Sequence, residues 1–500
     1  MRASRLSSRT LTRLFAIGAV VTLLVLPAGG TPVSDTAQRL GVAHWLLTGS
    51  PPLDGVRTNA PWVLHDRHGR PTPWYGIGQS LVLMPADAMV TAAGARTPRL
   101  RFLAVEYLAF PVINGLLVAA AGALLAALGF APYAAAAGAI ALTFCSTLLW
   151  HFQNNQENPL QFLLVIVALI GVLRWTESGS RAWLVATGLC LGLDLLLRLP
   201  NIVDVAVVSS VPLLLTRDRA KYLRDWGLCA APGIAAGMAV DRIYHFARFG
   251  EWTSNYMQMF GDLARQLELP VPAGFPLSND FWVGIVGPFI SLQASVFLFD
   301  PLLVVAAIAV VVWWKPLRPP VRLTAFAAAA GMLIVATGYA RYYNWSGLAS
   351  WGNRFLTTWV WMACLLAVPI LLELNVRRRV IAALAALAMS LQLCSLVFPA
   401  WLEEVQLGMQ VPIRAGVISV PDGRLDHFVI GQRVRNIVAT ASGASTFHPP
   451  ILPVVMPLRS LPPWMAVLAR LGWCACAIWL AWFSRKLLRS LDPAPSPSRA

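Results

Sequence analysis

One pattern recurs along almost the whole chain. An apolar run of roughly 17 to 25 residues, the length a helix needs to cross a bilayer, is closed by a short cluster of Arg or Lys. A chain built this way cannot fold as a soluble domain, because most of its surface would have to be buried and there is too little polar surface to cover it. The composition agrees. Apolar side chains make up 57% of the residues and charged ones 12%, against about a quarter charged in soluble domains, and the mean hydropathy is +0.63. The net charge of +16 lies in clusters between the apolar runs instead of on one face, which excludes a nucleic-acid-binding surface.

Twelve spans are predicted, near 14–30, 107–128, 131–150, 160–174, 182–198, 201–216, 226–244, 297–314, 323–340, 355–374, 380–398 and 462–483. The first follows Arg2, Arg5, Arg9 and Arg13 and is read as a retained helix, a cleaved signal peptide being the other reading. Residues 77–94 are apolar but carry Gln79, Pro85 and Asp87. If they crossed the membrane, Arg174, Arg181, Arg217, Arg219, Lys221, Arg224, Lys315, Arg318, Arg322 and Arg377 to Arg379 would face outward. That violates the positive-inside rule, so 77–94 is read as a helix lying in the outer interface, and both termini are cytoplasmic. The same layout puts only Glu177, Asp218, Asp225, Glu373 and Asp492 on the cytoplasmic side out of 23 acids. The chemistry is therefore expected outside.

The expected fold is an all-α polytopic membrane protein with large outer loops carrying interfacial helices. Residues 1–398 form a transmembrane catalytic module with outer loops 31–106 and 245–296, residues 399–461 an outer C-terminal region, and residues 462–500 the last span and a cytoplasmic tail. Within 399–461 the alternation from Val411 to Val420 suggests a strand. All seven cysteines lie in apolar stretches and the seven histidines lack ligand spacing, so neither a disulfide framework nor a zinc site is expected. The turn Asp66-Arg67-His68-Gly69-Arg70 is assigned no chemistry.

Four places carry candidate residues. Asp35 follows the first span, where it suits either a helix cap or a carboxylate general base at the lipid-water boundary. Glu157, in the brief polar connection after the third span, suits a helix cap, or a partner to Asp35 that orients a hydroxyl or holds a divalent ion. Asp194 and Arg198 stand four apart near Pro200 and Asp204, either as a mutually neutralising pair or with Arg198 free for a lipid phosphate. The stretch Tyr339 to Phe355 reads as an interfacial aromatic belt, or as a tight turn at Gly347 and Gly352 that aims Arg354 at a phosphate, with Arg341 nearby.

In this order and sidedness the pieces resemble the GT-C polyprenyl-phosphate-sugar-dependent glycosyltransferases, a family that includes protein mannosyltransferases and the lipid A aminoarabinose transferase. The resemblance covers residues 10–375. It rests on Ser34-Asp35-Thr-Ala-Gln-Arg-Leu, Trp74-Tyr75-Gly76-Ile-Gly78-Gln79 with Pro85, Glu157, Arg198, Phe249-Gly250, and Trp345-Ser-Gly-Leu-Ala-Ser-Trp351-Gly-Asn-Arg354-Phe. It implies that Asp35 is the catalytic base, that Glu157 supports the acceptor or a metal, and that Arg198, Arg354 and Arg341 hold the donor phosphate. It further implies a substrate pocket formed with Tyr75, Gln79, Trp345 and Trp351. There is no second acid beside Asp35, so metal dependence is not supported and no cofactor is assigned.

The activity expected from this resemblance is transfer of a sugar from a polyprenyl-phosphate donor to an acceptor hydroxyl on the outer face of the membrane, with inversion. The expected location is a bacterial plasma membrane. The partners are the donor lipid, an acceptor of unassigned class and membrane lipid, with no nucleic acid. The alternatives are a lipid-linked glycan polymerase or ligase and a multi-spanning transporter or flippase.

Overall fold

Runs of Leu, Val and Ala this long satisfy their backbone groups in lipid by forming helices, and the computed structural model is mostly helical. It describes residues 5–27, 34–53, 64–73, 75–95, 97–253, 256–266, 268, 273–347, 350–413, 418–421, 424–444, 449–456 and 462–492. Ala28 to Gly30, Trp74, Leu348 and Ala349, quoted above, and His448 lie outside the described residues.

In chain order the helices are α1 (Ser8–Val25), α2 (Ser34–Thr48), α3 (Gly78–Ala92), α4 (Pro98–Ala127), α5 (Pro132–Cys145), α6 (Leu148–Asn154), α7 (Asn158–Ser178), α8 (Arg181–Leu197), α9 (Ile202–Leu215), α10 (Arg219–Cys229) and α11 (Ala231–Phe249). They continue with α12 (Tyr256–Gln266), α13 (Phe281–Ile290), α14 (Val296–Phe299), α15 (Pro301–Val312), α16 (Pro319–Tyr339), α17 (Thr357–Glu373), α18 (Arg378–Ser395), α19 (Trp401–Gln406), α20 (Val429–Ala441) and α21 (Pro463–Leu491). The described strands make two antiparallel hairpins, β1 (Leu64–His65) with β2 (Pro71–Thr72) and β3 (Gln410–Ile413) with β4 (Ile418–Pro421). Of the alternating segment, residues 411–413 and 418–420 lie on the two strands of one hairpin instead of a single strand, and 414–417 lie outside the described residues.

Each of the twelve expected spans falls on a helix. Six described helices are long and apolar enough to cross a membrane (α1, α4, α7, α16, α18 and α21), and α5 with α6 makes a seventh, bent by 61°. Helix α4 starts about three turns before the span expected at 107. Thr97 accepts the N–H of Leu100 as its cap and Pro98 opens the first turn. Its 30 residues reach about 45 Å, more than the hydrocarbon core of about 30 Å requires. The excess carries Arg99, Arg101 and Glu106.

The two ends of the bundle keep their charges apart. Arg181 pairs with Asp225, Arg318 with Glu373 and Arg378 with Asp492, all between segments expected in the cytoplasm. Arg39 and Arg198 with Glu157, Arg354 with Asp35 and Arg433 with Glu403 join segments expected outside. Among the described residues no ion pair joins one set to the other.

Two close approaches set the frame of the outer end. Helices α8 and α11 cross backbone to backbone: a Cβ on Gly188 would lie 2.2 Å from the Ala230 carbonyl oxygen, and one on Gly192 2.3 Å from that of Gly233. Gly76 and Gly78 press the same way on the end of α8, where added Cβ atoms would sit 2.5 Å from Leu196 O and 2.6 Å from Leu196 C. The segment bearing Tyr75 and Gln79 is thereby seated against the turn that carries Arg198.

Residues 399–461 meet the module at Arg433, whose buried ion pair with Glu403 lies within the region and whose remaining donors reach carbonyls at the end of α18. The Arg433 guanidinium grips Glu403 through two bonds of 2.6 Å and donates to the carbonyls of Ser395, Phe398 and Pro399. No residue spacing announced this contact.

The α8–α11 crossing gives a sign test. Gly192→Ala adds helix propensity of roughly 1 kcal/mol but forces the backbones apart, so the melting temperature falls; Gly227→Ala on α10, with open space around it, holds or raises it. Equal shifts for both variants contradict the crossing.

Candidate functional site

Helix α2 brings Asp35 and Arg39 to one face because they are four residues apart. The α6–α7 turn meets that face. Asn155 takes a left-handed conformation (φ 51°) that ends α6, and its carbonyl accepts from the Thr36 hydroxyl at 2.9 Å and from Gln79 Nε2 at 3.4 Å. Glu157 follows, enclosed at 1% exposure, with Oε2 2.6 Å from Arg39 Nη1 and Oε1 against Arg198 Nη2. Asn158 reaches the far side, donating to the Arg354 carbonyl at 2.8 Å and to the Thr357 hydroxyl at 3.0 Å.

Asp35 sits in a different setting. The Tyr75 hydroxyl donates to its Oδ1 at 2.6 Å, and Arg354 Nη1 lies 3.6 Å from Oδ2. The Tyr75 ring packs under the Arg39 guanidinium, 4.4 Å from Cζ to the ring centre. Gly347, at φ 71°, lets the incoming loop turn back on itself: a Cβ there would lie 2.7 Å from Arg354 Cγ. The expectation of a glycine turn beside Arg354 thus has its structural counterpart. Asp35 keeps 17% of its side chain exposed, which is what separates it from Glu157.

Arg198 departs from the i, i+4 relation to Asp194. Helix α8 ends at Leu197 and Arg198 is extended (φ −153°, ψ 128°), so its side chain turns away from the α8 face to reach Glu157. Asp194 pairs instead with Asn201, whose Nδ2 donates to its Oδ1 at 2.9 Å. Beside Arg198 lies a small cavity lined also by Gln161, Asn201, Asp204, Tyr339, Phe355 and Thr358.

The expected residues divide accordingly. Asp35, Tyr75, Gln79, Glu157, Arg198 and Arg354 come together. Glu157, expected to support an acceptor or a metal, has both oxygens against arginines and is 1% exposed. Arg341 is exposed, and the arginines acting on Glu157 are Arg198, Arg39 and Arg354. Trp345 and Trp351, expected in the pocket, are each 1% exposed. Trp345 packs on α13 at Gly287, and Trp351 meets Phe299 edge-on at 4.9 Å and lies under Arg433. Both are buried because the loop between α16 and α17 folds inward against α13 and α14. Sequence reasoning missed Arg39, Gln161 and Thr358; the i+4 spacing of Arg39 from Asp35 was its one signal. Among the described residues no group of three His, Cys, Asp or Glu is placed to hold a metal ion.

No family model and no curated protein matches the chain. Among solved structures it is similar to ArnT from Cupriavidus metallidurans bound to undecaprenyl phosphate, with a TM-score of 0.48 and 13% identity over 96% of this chain and 75% of that one. It is similar also to the archaeal oligosaccharyltransferase AglB from Archaeoglobus fulgidus in complex with an inhibitory peptide and a dolichol-phosphate, with a TM-score of 0.38 and 15% identity over 87% of this chain and 54% of that one. Both TM-scores are under 0.5, so the functional reading rests on this chain's own residues.

Burial alone would raise the Glu157 carboxyl, but Arg198 and Arg39 outweigh it and hold it well below its ordinary 4.5. A carboxyl depressed in the folded state contributes stability above its unfolded value, and that contribution is lost as the pH falls below it. Glu157→Gln leaves two arginines without their counter-charge and is expected to cost about 3–5 kcal/mol at neutral pH. The parent's melting temperature should drop on acidification from pH 5 to 3 by more than the variant's. Parallel acid slopes would contradict this role for Glu157.

Proposed function

We propose that the protein is a membrane glycosyltransferase of the GT-C type that moves a sugar from a polyprenyl-phosphate donor to an acceptor hydroxyl at the outer membrane surface. One observation carries the reading. A partly exposed carboxylate, fixed by a tyrosine, stands next to Arg354 and close to an Arg198-lined cavity, where the apolar spans give way to the outer loops.

The chemistry follows from that arrangement. Attack of a hydroxyl on an anomeric carbon needs a base for the proton and cations for the phosphate that departs. Asp35 accepts the proton, and Tyr75, bonded to its Oδ1, fixes which oxygen faces the acceptor. Arg354 and Arg198 stabilise the charge developing on the leaving phosphate, in a setting where apolar surroundings strengthen the interaction. Arg198 is held for this by Glu157, which also holds Arg39 and so the helix bearing Asp35. With base and leaving group on opposite faces of the sugar, a single displacement inverts the anomeric centre. The outward orientation and the plasma-membrane location rest on the distribution of Arg and Lys among the loops.

The test uses purified protein and a panel of polyprenyl-phosphate sugars. The parent consumes one of them, and Asp35→Asn, folded to the same melting temperature within a few degrees, slows transfer by about 10² to 10⁴-fold. Transfer by the Asn variant at the parental rate would overturn the assignment of the base.

A further inference from the structure

Two carboxyls lie beneath the Arg198 cavity and take no part in the chemistry above. Asp194 on α8 and Asp204 on α9 are 0% and 2% exposed, and Asn201 and Gln161 tie both into one buried hydrogen-bond network. Two buried carboxyl groups that share a network with no ion-paired cation do not both stay ionised. Asn201 Nδ2 donates to Asp194 Oδ1 at 2.9 Å and Gln161 Nε2 to Asp204 Oδ2 at 2.9 Å, and the Trp359 indole also faces Asp204. The same Gln161 nitrogen lies 3.1 Å from Asn201 Oδ1. Among the described residues no arginine is ion-paired with either carboxyl; Arg198 pairs with Glu157 and lines the cavity beside Asp204. A purely structural cluster would be closed off. This one instead borders the cavity through Asp204, Asn201 and Gln161, and the Thr358 hydroxyl in the same wall is buried without a hydrogen-bond partner.

The ligand chemistry follows from the walls. Arg198 selects an anion, and Thr358 offers a hydroxyl donor. A charged Asp204 would repel that anion at close range, whereas a protonated carboxyl donates a hydrogen bond to it. We infer that the Asp194–Asp204 pair is a proton-carrying donor in the wall of the Arg198 cavity, and that a phosphate monoester binds there only while the pair holds its proton. This rests on the reading of Arg198 as a phosphate residue and adds that phosphate binding is linked to a proton. The other charged or titratable groups that face the pair or share its cavity are Cys190 on α8, Tyr339 at the end of α16 and Arg198. A lipid-linked phosphate and free phosphate share this chemistry.

The experiment measures thermal stabilisation of the purified full chain by farnesyl phosphate and by inorganic phosphate between pH 6 and 9. The parent's affinity is expected to fall up to tenfold per pH unit once the pair loses its proton. Asp204→Asn, whose amide donates at every pH, keeps binding and loses most of that slope. Asp194→Asn serves as the second variant should Asp204→Asn fail to fold; it frees Asp204 from the shared proton and shifts the slope along the pH axis. An unchanged slope in the folded variants, or no slope in the parent, overturns the inference. Loss of binding at all pH values in Arg198→Gln supports the reading underneath, and a parent that binds neither ligand at any pH overturns that reading itself. Farnesyl phosphate binding without inorganic phosphate binding assigns the site to a lipid headgroup; equal binding of both assigns it to phosphate in general.

Discussion

The double ion pair of Glu157 with Arg39 and Arg198 is the joint on which the outer end of the molecule depends. Three elements distant in sequence meet there: the helix after the first span, the start of α7 and the end of α8. Burying a carboxylate is costly unless its oxygens are fully engaged, and both Glu157 oxygens face guanidinium groups. The cost turns the contact into a constraint, because displacing any one of the three elements leaves a buried charge without its partner. The glycine crossings lie outside this joint and act with it, fixing α8 against α11 and the Tyr75 segment against the end of α8.

The two acids singled out in the sequence stand in different surroundings. Asp35 has one oxygen on a neutral hydroxyl and an arginine at a looser 3.6 Å, with part of the side chain exposed. Glu157 is enclosed. A base has to exchange protons with a substrate and an anchor must not, and this is why Asp35, 17% exposed, is the acid proposed as base.

What was legible in the sequence followed from rules that act locally. The apolar runs placed a helix at every expected span, the arginine clusters sorted into ion pairs at one end of the bundle, and the glycines near Arg354 marked a turn of positive φ. What was hidden depended on where a helix stops or on which distant segment arrives. Asp194 and Arg198 would share a face if α8 continued one more turn, but it ends at Leu197. Trp345 and Trp351 read as pocket or interface because an aromatic-rich loop gives no sign that it folds inward onto α13 and α14. The Arg433–Glu403 contact joins residues 30 apart with no periodic pattern between them. Arg39 was hidden in plain sight, as an arginine that looked like part of a motif and turned out to be half of the joint.

The central claim is a single displacement at the anomeric carbon, with Asp35 taking the proton on one face while Arg198 and Arg354 receive the phosphate on the other. The direct measurement is the anomeric configuration of the transferred sugar, read by NMR from the coupling at its anomeric proton and compared with that of the polyprenyl-phosphate donor consumed. The account predicts the opposite configuration in the product. Retention would require a second displacement through a covalent sugar intermediate and would contradict the proposed mechanism.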